Sequence, residues 1–549
     1  MRDSKYQGID ILPDDIFGDI LMLVSRFEQD ELCFANWSQA YEEMVARPND
    51  LANNFGLGQV ASRWRATCLG RRVFWVNLYI SWRSNLGKAF AVLAFLPDTI
   101  GLYFDIDPIL SHAEEPGAHF ASPELLEQVL HSIAARSRQV RGIVASVDPD
   151  APAAGTLFNS GLAYPQLQAL VFVKSPMHFN LDIDIKVERL RFVDVDRVNA
   201  RNGWWQQILT PHLQTLRFTS LDGQGHVDSQ YLQDIFSRCP NLECLDFGAY
   251  YARMSGDENI APGSWSGHHL TRLSIQQPLR QTLAILRALA PLSSLREVYL
   301  VILRQQVDDD SDTDSEDEDN GVVDGQLNPI PFLEIVVTGP NIVTQFEIDH
   351  QSFHIATHDG KQMSAHFSSA RMGYSWDIVA IWRYLCFNLE AHRTIPSLRI
   401  SDKNWANMAR AFDVMPPAYA DGLVLLVEQS SQGRRPTSKK SGSSNPSLRL
   451  PTLKRVIFRP HTSDIPRKRQ VIDLMKYFHD KISVPDLPRE APIELCFCGW
   501  RKLYSNRTDL WENDLELVLQ LVSENQQEHL WRLCLESLAL ITTACEATS

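Results

Sequence analysis

The stretches PHLQTLRF (residues 211–218) and PNLECLDF (residues 240–247) are two copies of one short pattern. In each copy a leucine is followed three residues later by a second leucine, and two residues after that by a phenylalanine. Apolar residues that alternate in this way predict a short β-strand with one buried face, preceded by a turn. The apolar positions are Leu213, Leu216 and Phe218 in the first copy and Leu242, Leu245 and Phe247 in the second.

The pattern recurs on both sides of these two copies. The additional copies are Leu167-Leu170-Phe172, Val187-Leu190-Phe192, Leu270-Leu273-Ile275 and Leu295-Val298-Leu300. Successive copies are 20, 26, 29, 28 and 25 residues apart, which is close to the period of leucine-rich repeats. We predict further strands of the same kind at 100–107, 139–147, 397–402, 451–460 and 492–500.

Helical patterns lie between the predicted strands, at 123–137, 229–239 and 279–289. In a repeat array, the helix after each strand covers one face of that strand, and neighbouring repeats cover its edges. The asparagine ladder of strict leucine-rich repeats is missing here, so the sequence predicts an irregular array.

Two segments do not fit the array. Residues 308–319, DDDSDTDSEDED, carry nine carboxylates, which repel one another, so we predict a disordered loop near 305–328. The serine-rich basic stretch near 429–448 predicts a second loop of this kind. Ser311 and Ser315 are either phosphorylation sites for an acidophilic kinase or part of a passive solvated loop.

The overall composition excludes some classes of protein. The formal net charge is −15, and −6 without the acidic run, which argues against a general nucleic-acid binder. Nine irregularly spaced cysteines are typical of reduced, intracellular thiols. The N-terminus lacks a signal-peptide core, and no apolar run is long enough to span a membrane. We therefore expect a cytoplasmic and/or nuclear protein that binds neither nucleic acid nor membrane.

The N-terminal block has a different character. Residues 11–27 predict an amphipathic helix that begins near Pro13 and is apolar over more than half of its circumference. A second predicted helix starts at Leu57 and ends at Gly70. Residues 28–56 connect the two helices.

This block resembles the F-box motif of the large F-box families of fungi. The motif's opening, L-P-x-[DE]-[IL]-[LF]-x-x-I-[FL], is matched by Leu12, Pro13, Asp15, Ile16, Phe17, Ile20 and Leu21. Its second half, V-C-x-x-W-R followed by an aromatic pair, is matched by Val60, Trp64, Arg65, Phe74 and Trp75, with Ala61 in place of the cysteine. Residues 28–56 lengthen the usual connection between the two halves.

The resemblance implies an α/β fold in two parts: a small all-helical F-box module at 1–82, with an insertion at 28–56, and an irregular leucine-rich-repeat-like α/β horseshoe (solenoid) at 83–549. It also implies the substrate-recognition subunit of an SCF-type E3 ubiquitin ligase. The F-box would dock a SKP adaptor and through it a cullin-RING ligase, while the array would hold a substrate protein that the sequence does not identify. The implied adaptor-binding residues are Leu12, Pro13, Ile16, Phe17, Ile20, Leu21, Val60, Trp64, Phe74 and Trp75.

Other interpretations remain open from the residues themselves. The array could be an interaction scaffold without a ligase role, with the N-terminal block as its structural cap. The arginines near Trp64 and Trp75 are either a nucleic-acid surface or the solvated side of a helix, and we favour the latter. His350, His354 and His358 share a face, but we interpret them as surface histidines rather than metal ligands. No catalytic motif or cofactor signature is present, so we expect neither an enzyme nor a bound cofactor.

Overall fold

The protein is represented by a computed structural model of the 549-residue chain. It describes residues 77–81, 101–106, 123–145, 161–172, 185–195, 205–220, 229–249, 261–265, 268–303, 322–323, 326–327, 329–337, 342–349, 351–367, 375–428, 447–459, 481–483, 493–497 and 531–533. The chain divides into two compact units, Met1–Gln277 and Pro278–Ser549.

The first unit is a parallel sheet with helices in its connections. Its strands are β1 (Asn77–Ser81), β2 (Gly101–Ile106), β3 (Val140–Ala145), β4 (Ala163–Tyr164), β5 (Ala169–Phe172), β6 (Lys186–Val187), β7 (Phe192–Val195), β8 (Thr215–Ser220), β9 (Cys244–Ala249) and β10 (Arg272–Pro278). Its helices are α1 (Pro123–Ala135), α2 (Trp205–Ile208) and α3 (Ser229–Arg238). The helices predicted at 123–137 and 229–239 are thus confirmed.

β4 and β6 pair with each other in a separate two-stranded sheet, and the other strands follow one another in chain order. All neighbouring strands of the main sheet pair in parallel: β1–β2, β2–β3, β3–β5, β5–β7, β7–β8, β8–β9 and β9–β10. One apolar row crosses it directly from strand to strand: Ile143, Leu170, Val193, Leu216, Leu245 and Leu273. All six side chains are fully buried, and each contributes about 1.5–3 kcal/mol through the hydrophobic effect.

A proline turn starts several of these repeats. The amide of Leu167 donates to the carbonyl of Tyr164, Leu213 donates to Thr210, and Leu242 donates to Cys239, each over 3.1 Å. The residue after each acceptor is a proline, whose fixed φ suits the second position of a β-turn. The x-P-x-L tetrapeptide therefore sets the point at which the chain enters the strand.

A backbone ladder joins each repeat to the next just before the strand. The Arg191 carbonyl accepts from the amides of Gln214 and Thr215, at 2.8 and 2.9 Å. The carbonyls of Gln168, Gln214 and Glu243 accept the corresponding pairs from their following repeats. The buried hydroxyl of Thr210 also donates to the Leu190 carbonyl, at 2.9 Å. Such bonds satisfy turn carbonyls that burial would otherwise leave without partners.

The predicted copy Val187-Leu190-Phe192 is wrong in its frame. The strand there is β7, and Val193 rather than Leu190 lies opposite Leu170. The copy is therefore Leu190-Val193-Val195, three residues later than Val187-Leu190-Phe192. Both frames fit the alternation, and the pairing with β5 and β8 selects one of them. The intervals between paired positions become 23, 23, 29 and 28 residues.

The second unit contains a mixed sheet and more helices. Its strands are β11 (Glu297–Leu303), β12 (Val322–Val323), β13 (Gln326–Leu327), β14 (Val343–Ile348), β15 (Ser352–Thr357), β16 (Gln362–Phe367), β17 (Ser375–Trp376), β18 (Ser397–Ser401), β19 (Leu423–Glu428), β20 (Leu448–Arg449), β21 (Leu453–Arg459), β22 (Ile482–Ser483), β23 (Ile493–Phe497) and β24 (Trp531–Leu533). Its helices are α4 (Leu279–Leu289), α5 (Ile330–Val336), α6 (Ile378–Leu389), α7 (Ala391–Thr394) and α8 (Trp405–Val414).

An antiparallel meander interrupts the parallel order in this unit. β14, β15 and β16 pair antiparallel, β11 pairs parallel with β16, and β14 pairs parallel with β18. The parallel order then continues through β19, β21, β23 and β24. The turn signal Asp359-Gly360 is confirmed, since Gly360 has φ +83° in the β15–β16 hairpin. The continuous array predicted from residue 83 onward did not include this meander.

Aromatic side chains fill the layer between the meander and the helices. Trp376 lies 4.7 Å from Phe367 and 4.9 Å from Phe353, measured between ring centroids. Trp382 of α6 contacts Phe346 and donates its indole N–H to the Met415 carbonyl at 2.8 Å. Successive residues of a strand point to opposite faces of the sheet. The polar residues that alternate with these aromatic residues therefore point away from the helices.

The predicted class is confirmed at the level of a mixed α/β protein with a large, mostly parallel sheet. Several boundaries differ from the predictions. β1 lies inside the range 1–82 assigned to an all-helical module, and β12 and β13 lie inside the predicted loop at 305–328. Leu448, the last residue of the second predicted loop, is buried in β20. Among the described residues, no helix has the length and apolar composition that crossing a membrane requires.

Candidate functional site

The predicted adaptor-binding residues lie outside the part of the chain that the structure describes. This holds for Leu12, Pro13, Ile16, Phe17, Ile20, Leu21, Val60, Trp64, Phe74 and Trp75. The structure does describe the polar face of the sheet in both units, within the region that the resemblance assigns to target binding.

In the first unit, an arginine lies between two aspartates on adjacent strands. Asp194, Arg217 and Asp246 occupy paired positions of β7, β8 and β9. The Arg217 guanidinium is 3.6 Å from the Asp194 carboxylate and 3.3 Å from that of Asp246. The three side chains keep 33–37% of their surface exposed, so water screens these ion pairs.

In the second unit, a tighter set of the same composition joins β14, β18 and β19. Arg399 donates to Glu347 at 2.8 Å and to Glu428 at 2.6 Å, and the three side chains are only 21–28% exposed. Burial lowers the pKa of Arg399, but the bonds to Glu428 and Glu347 outweigh burial and leave that pKa raised. The other Glu347 oxygen accepts from the Gln345 amide at 2.6 Å.

Two histidines on the meander continue this polar face. His354 of β15 lies opposite Glu347 and also opposite Ser364 of β16, and its Nδ1 is 2.8 Å from the Ser364 hydroxyl. His366 lies beside Tyr299 of β11, with ring centroids 5.0 Å apart. Burial lowers the pKa of both imidazoles, which favours their neutral forms at pH 7.

These residues line a groove of about 490 Å³ in the second unit, which we call the Arg399 groove. Its charged side chains are Arg399, Glu347, Asp349 and Glu428. Its neutral polar and aromatic side chains include His354, His366, Ser364 and Tyr299. His354, which we interpreted as a surface histidine, is half-buried in the lining of this groove. His350 lies outside the described residues, and His358 is exposed on the hairpin.

The hydrogen bonds of Glu347 do not form a serine–histidine–carboxylate triad. A serine nucleophile requires a histidine base that is itself oriented by a carboxylate. Here the two oxygens of Glu347 accept from Arg399 and Gln345, so the carboxylate holds the arginine. Among the described residues, no group of three or more histidines, cysteines, aspartates or glutamates is arranged to hold a metal ion.

A second groove, in the first unit, has a different character. It encloses about 540 Å³ beside the turns that precede β8, β9 and β10. Its charged and polar lining includes Arg191, His212, Glu243 and His269, all of which are exposed. Its lining carries one arginine and one glutamate, so the fixed charges of the two balance.

The thiols of the described residues offer little reactivity. Cys239, Cys244 and Cys386 are free cysteines. Burial raises the pKa of Cys239 and of Cys386 to about 12 in each case. Since the thiolate is the reactive species, these two groups are inert at neutral pH.

Sequence reasoning missed one signal: a charged residue lies between the last two apolar positions of several strand patterns. Arg217 and Asp246 lie at this position in the first unit, and Glu347 and Arg399 lie at it in the second. Comparison of the chain with models of known protein families and with curated proteins finds no match. The resemblance to F-box proteins therefore depends on the N-terminal motif residues and on the leucine-rich pattern downstream.

Proposed function

We propose that this protein is the substrate-recognition subunit of an SCF-type ubiquitin ligase. The N-terminal block docks a SKP adaptor and through it a cullin-RING ligase, and the sheet region binds a target protein. Such a subunit is not an enzyme, because it acts by raising the effective concentration of the target near the ligase. The proposal places the protein in the cytoplasm and/or the nucleus.

One observation carries the binding half of this proposal. Phe346 of the meander packs against Trp382 of α6, and Phe353 and Phe367 pack against Trp376. The alternate residues of the meander form a polar face with a groove in it. A sheet face that holds ordered charges in a concavity is suited to binding a partner. The regular parallel rows of the first unit also support the finer fold proposal, an irregular leucine-rich-repeat horseshoe after the F-box module.

The adaptor half is tested by co-purification of the full chain with a SKP adaptor. We expect wild-type protein to retain the adaptor and the double variant Leu12→Asp/Ile16→Asp to lose it, because aspartate cannot be buried unpaired in an apolar interface. Ile342→Asp is the matched control, since Ile342 is 49% exposed and far along the chain. A wild-type protein that fails to retain the adaptor, or a double variant that retains it fully, would contradict the proposal.

The alternative is an interaction scaffold whose N-terminal block is a structural cap. It is favoured by the position of β1, which begins at Asn77 directly after the F-box-like residues and is the first strand of the sheet. Deleting residues 1–75 leaves β1 intact and separates the two roles. A cap predicts an insoluble remainder, whereas a docking module predicts a folded remainder that has lost the adaptor.

A further inference from the structure

The described residues that line the Arg399 groove carry more negative than positive charge. Among its described lining residues, the three carboxylates of Glu347, Asp349 and Glu428 face one guanidinium, that of Arg399. The two histidines add no positive charge at pH 7, because burial favours their neutral forms. An occupant of this groove is therefore selected for positive charge.

Arg399, Glu347 and Glu428 are also held in place before any partner arrives. Arg399 bonds to one glutamate on each side, and Glu347 is fixed a second time by Gln345. Groups that are already ordered lose little conformational entropy on binding. The second unit thus presents carboxylates at defined positions rather than as a mobile acidic patch.

An exposed aromatic ring completes the groove. Tyr299 keeps 45% of its surface exposed, and its ring packs against that of His366. A tyrosine face attracts the guanidinium of arginine or the ammonium of lysine and also covers their methylene groups. Neither an acidic nor a purely apolar side chain gains from both the ring and the carboxylates.

We propose that the Arg399 groove binds an arginine or lysine side chain of a target protein, presented on an extended basic segment. The inference deepens the proposed function, since it names the class of target that the ligase subunit takes. Asp349 and Glu428 supply the attraction, Tyr299 covers the stem of the side chain, and Arg399 keeps the two glutamates at a fixed separation.

The probes are twelve-residue peptides that differ only in charge: arginine, lysine, glutamine or glutamate at three alternate positions of a Gly/Ser background. Their binding to the full chain is measured by fluorescence polarisation at low and moderate salt. We expect the arginine and lysine peptides to bind more tightly than the glutamine peptide, with the preference falling as salt rises. Equal binding of all four peptides would overturn the inference.

Variants test whether the basic peptides bind in the Arg399 groove. Asp349→Asn and Tyr299→Ala are each expected to weaken binding of the arginine peptide about threefold to tenfold, and Asp349→Lys to abolish the preference for basic peptides. Asp246→Asn, in the other acid–arginine–acid set, is the matched control and should bind as wild type. If Asp246→Asn weakens binding as much as Asp349→Asn, the basic peptide is not held by this groove.

The acidic run at 308–319 is a competing attractor for any basic peptide. A variant with its nine carboxylates changed to amides is expected to keep the peptide preference and its dependence on Asp349. Loss of the preference in that variant, with Asp349→Asn silent, would refute the inference. Adaptor co-purification is scored separately, so a basic-peptide preference without the adaptor would refute only the ligase role.

Discussion

Asp194–Arg217–Asp246 in the first unit and Glu347–Arg399–Glu428 in the second are two versions of one arrangement. Each places an arginine between two carboxylates on adjacent strands. In the first set the ion-pair distances are 3.6 and 3.3 Å and about a third of each side chain is exposed. In the second set the distances are 2.8 and 2.6 Å and the side chains are more deeply buried.

The difference follows from the strands around each set. In the first unit all three strands belong to a regular parallel series, and the face they share is open. In the second unit Glu347 lies on β14, the first strand of the antiparallel meander, and the β14–β15 connection contributes Asp349 and Gln351 to the groove lining. The same local pattern therefore gives a solvated ion pair in the regular parallel sheet and a groove where the antiparallel meander is inserted.

The largest expected effect tests whether the apolar layers beneath the two sets are equivalent. Leu245→Ala and Leu398→Ala each remove a fully buried side chain from a central strand, and each should cost about 2–5 kcal/mol. Hydrogen exchange resolved by peptide measures the loss in each unit without assuming two-state unfolding. If one of the two variants lowers the free energy of unfolding by less than about 1 kcal/mol, the two apolar layers are not equivalent.

The intermediate effect concerns the arginines themselves. Arg399→Met leaves Glu347 and Glu428 close together and partly buried, and should destabilise the second unit by about 1–3 kcal/mol. Arg217→Met, the matched change at the more exposed set, should cost no more than about 1 kcal/mol. The free energy of unfolding of both variants is measured by denaturant titration, with hydrogen exchange as the readout. Equal losses would show that the tighter geometry has no energetic consequence.

The smallest effect is a pH dependence of the second unit. Because burial lowers the pKa of His354, the unfolded chain takes up a proton at higher pH than the folded chain. The stabilising contribution of the neutral ring is therefore present above the unfolded pKa, near 6.5, and is lost as the pH falls below it. The groups facing the ring are Glu347, which raises its pKa, and Arg399, which lowers it.

This dependence is measured as hydrogen-exchange protection of β14–β16 between pH 7 and pH 5, with β7–β9 as the internal reference. His354→Gln keeps a polar partner for Ser364 but does not titrate, so the loss of protection should become smaller. An unchanged pH profile in His354→Gln would assign the dependence to other groups.

Much of the fold was predictable because its signals are local. The strands at 397–402, 451–460 and 492–500 and the helix at 279–289 are found close to their expected places, since an alternating or 3.6-residue pattern needs no knowledge of partners. The frame of the repeat at Leu190 was not predictable in this way, because two overlapping frames satisfy the same pattern. Only pairing with the neighbouring strands distinguishes them.

The Arg399 groove was beyond sequence reasoning for a related reason. Glu347 and Arg399 are 52 residues apart, and they meet because β14 pairs directly with β18. β15 and β16, which lie between β14 and β18 along the chain, are ordinary alternating strands, and nothing local indicates where they insert into the sheet. The sequence does show that both residues lie between two apolar positions, and therefore on the polar face.

The paired amides on each turn carbonyl of the first unit have a consequence for how this sequence tolerates change. Val193 and Leu216 are 23 residues apart and Leu216 and Leu245 are 29 apart, yet both pairs lie directly opposite each other. The entry into each strand is fixed by the carbonyl of the preceding repeat, so the connecting segment absorbs the six-residue difference at little entropic cost. An affinity tag or a grafted peptide inserted between these strands would lengthen the connection and leave the alignment of the sheet unchanged.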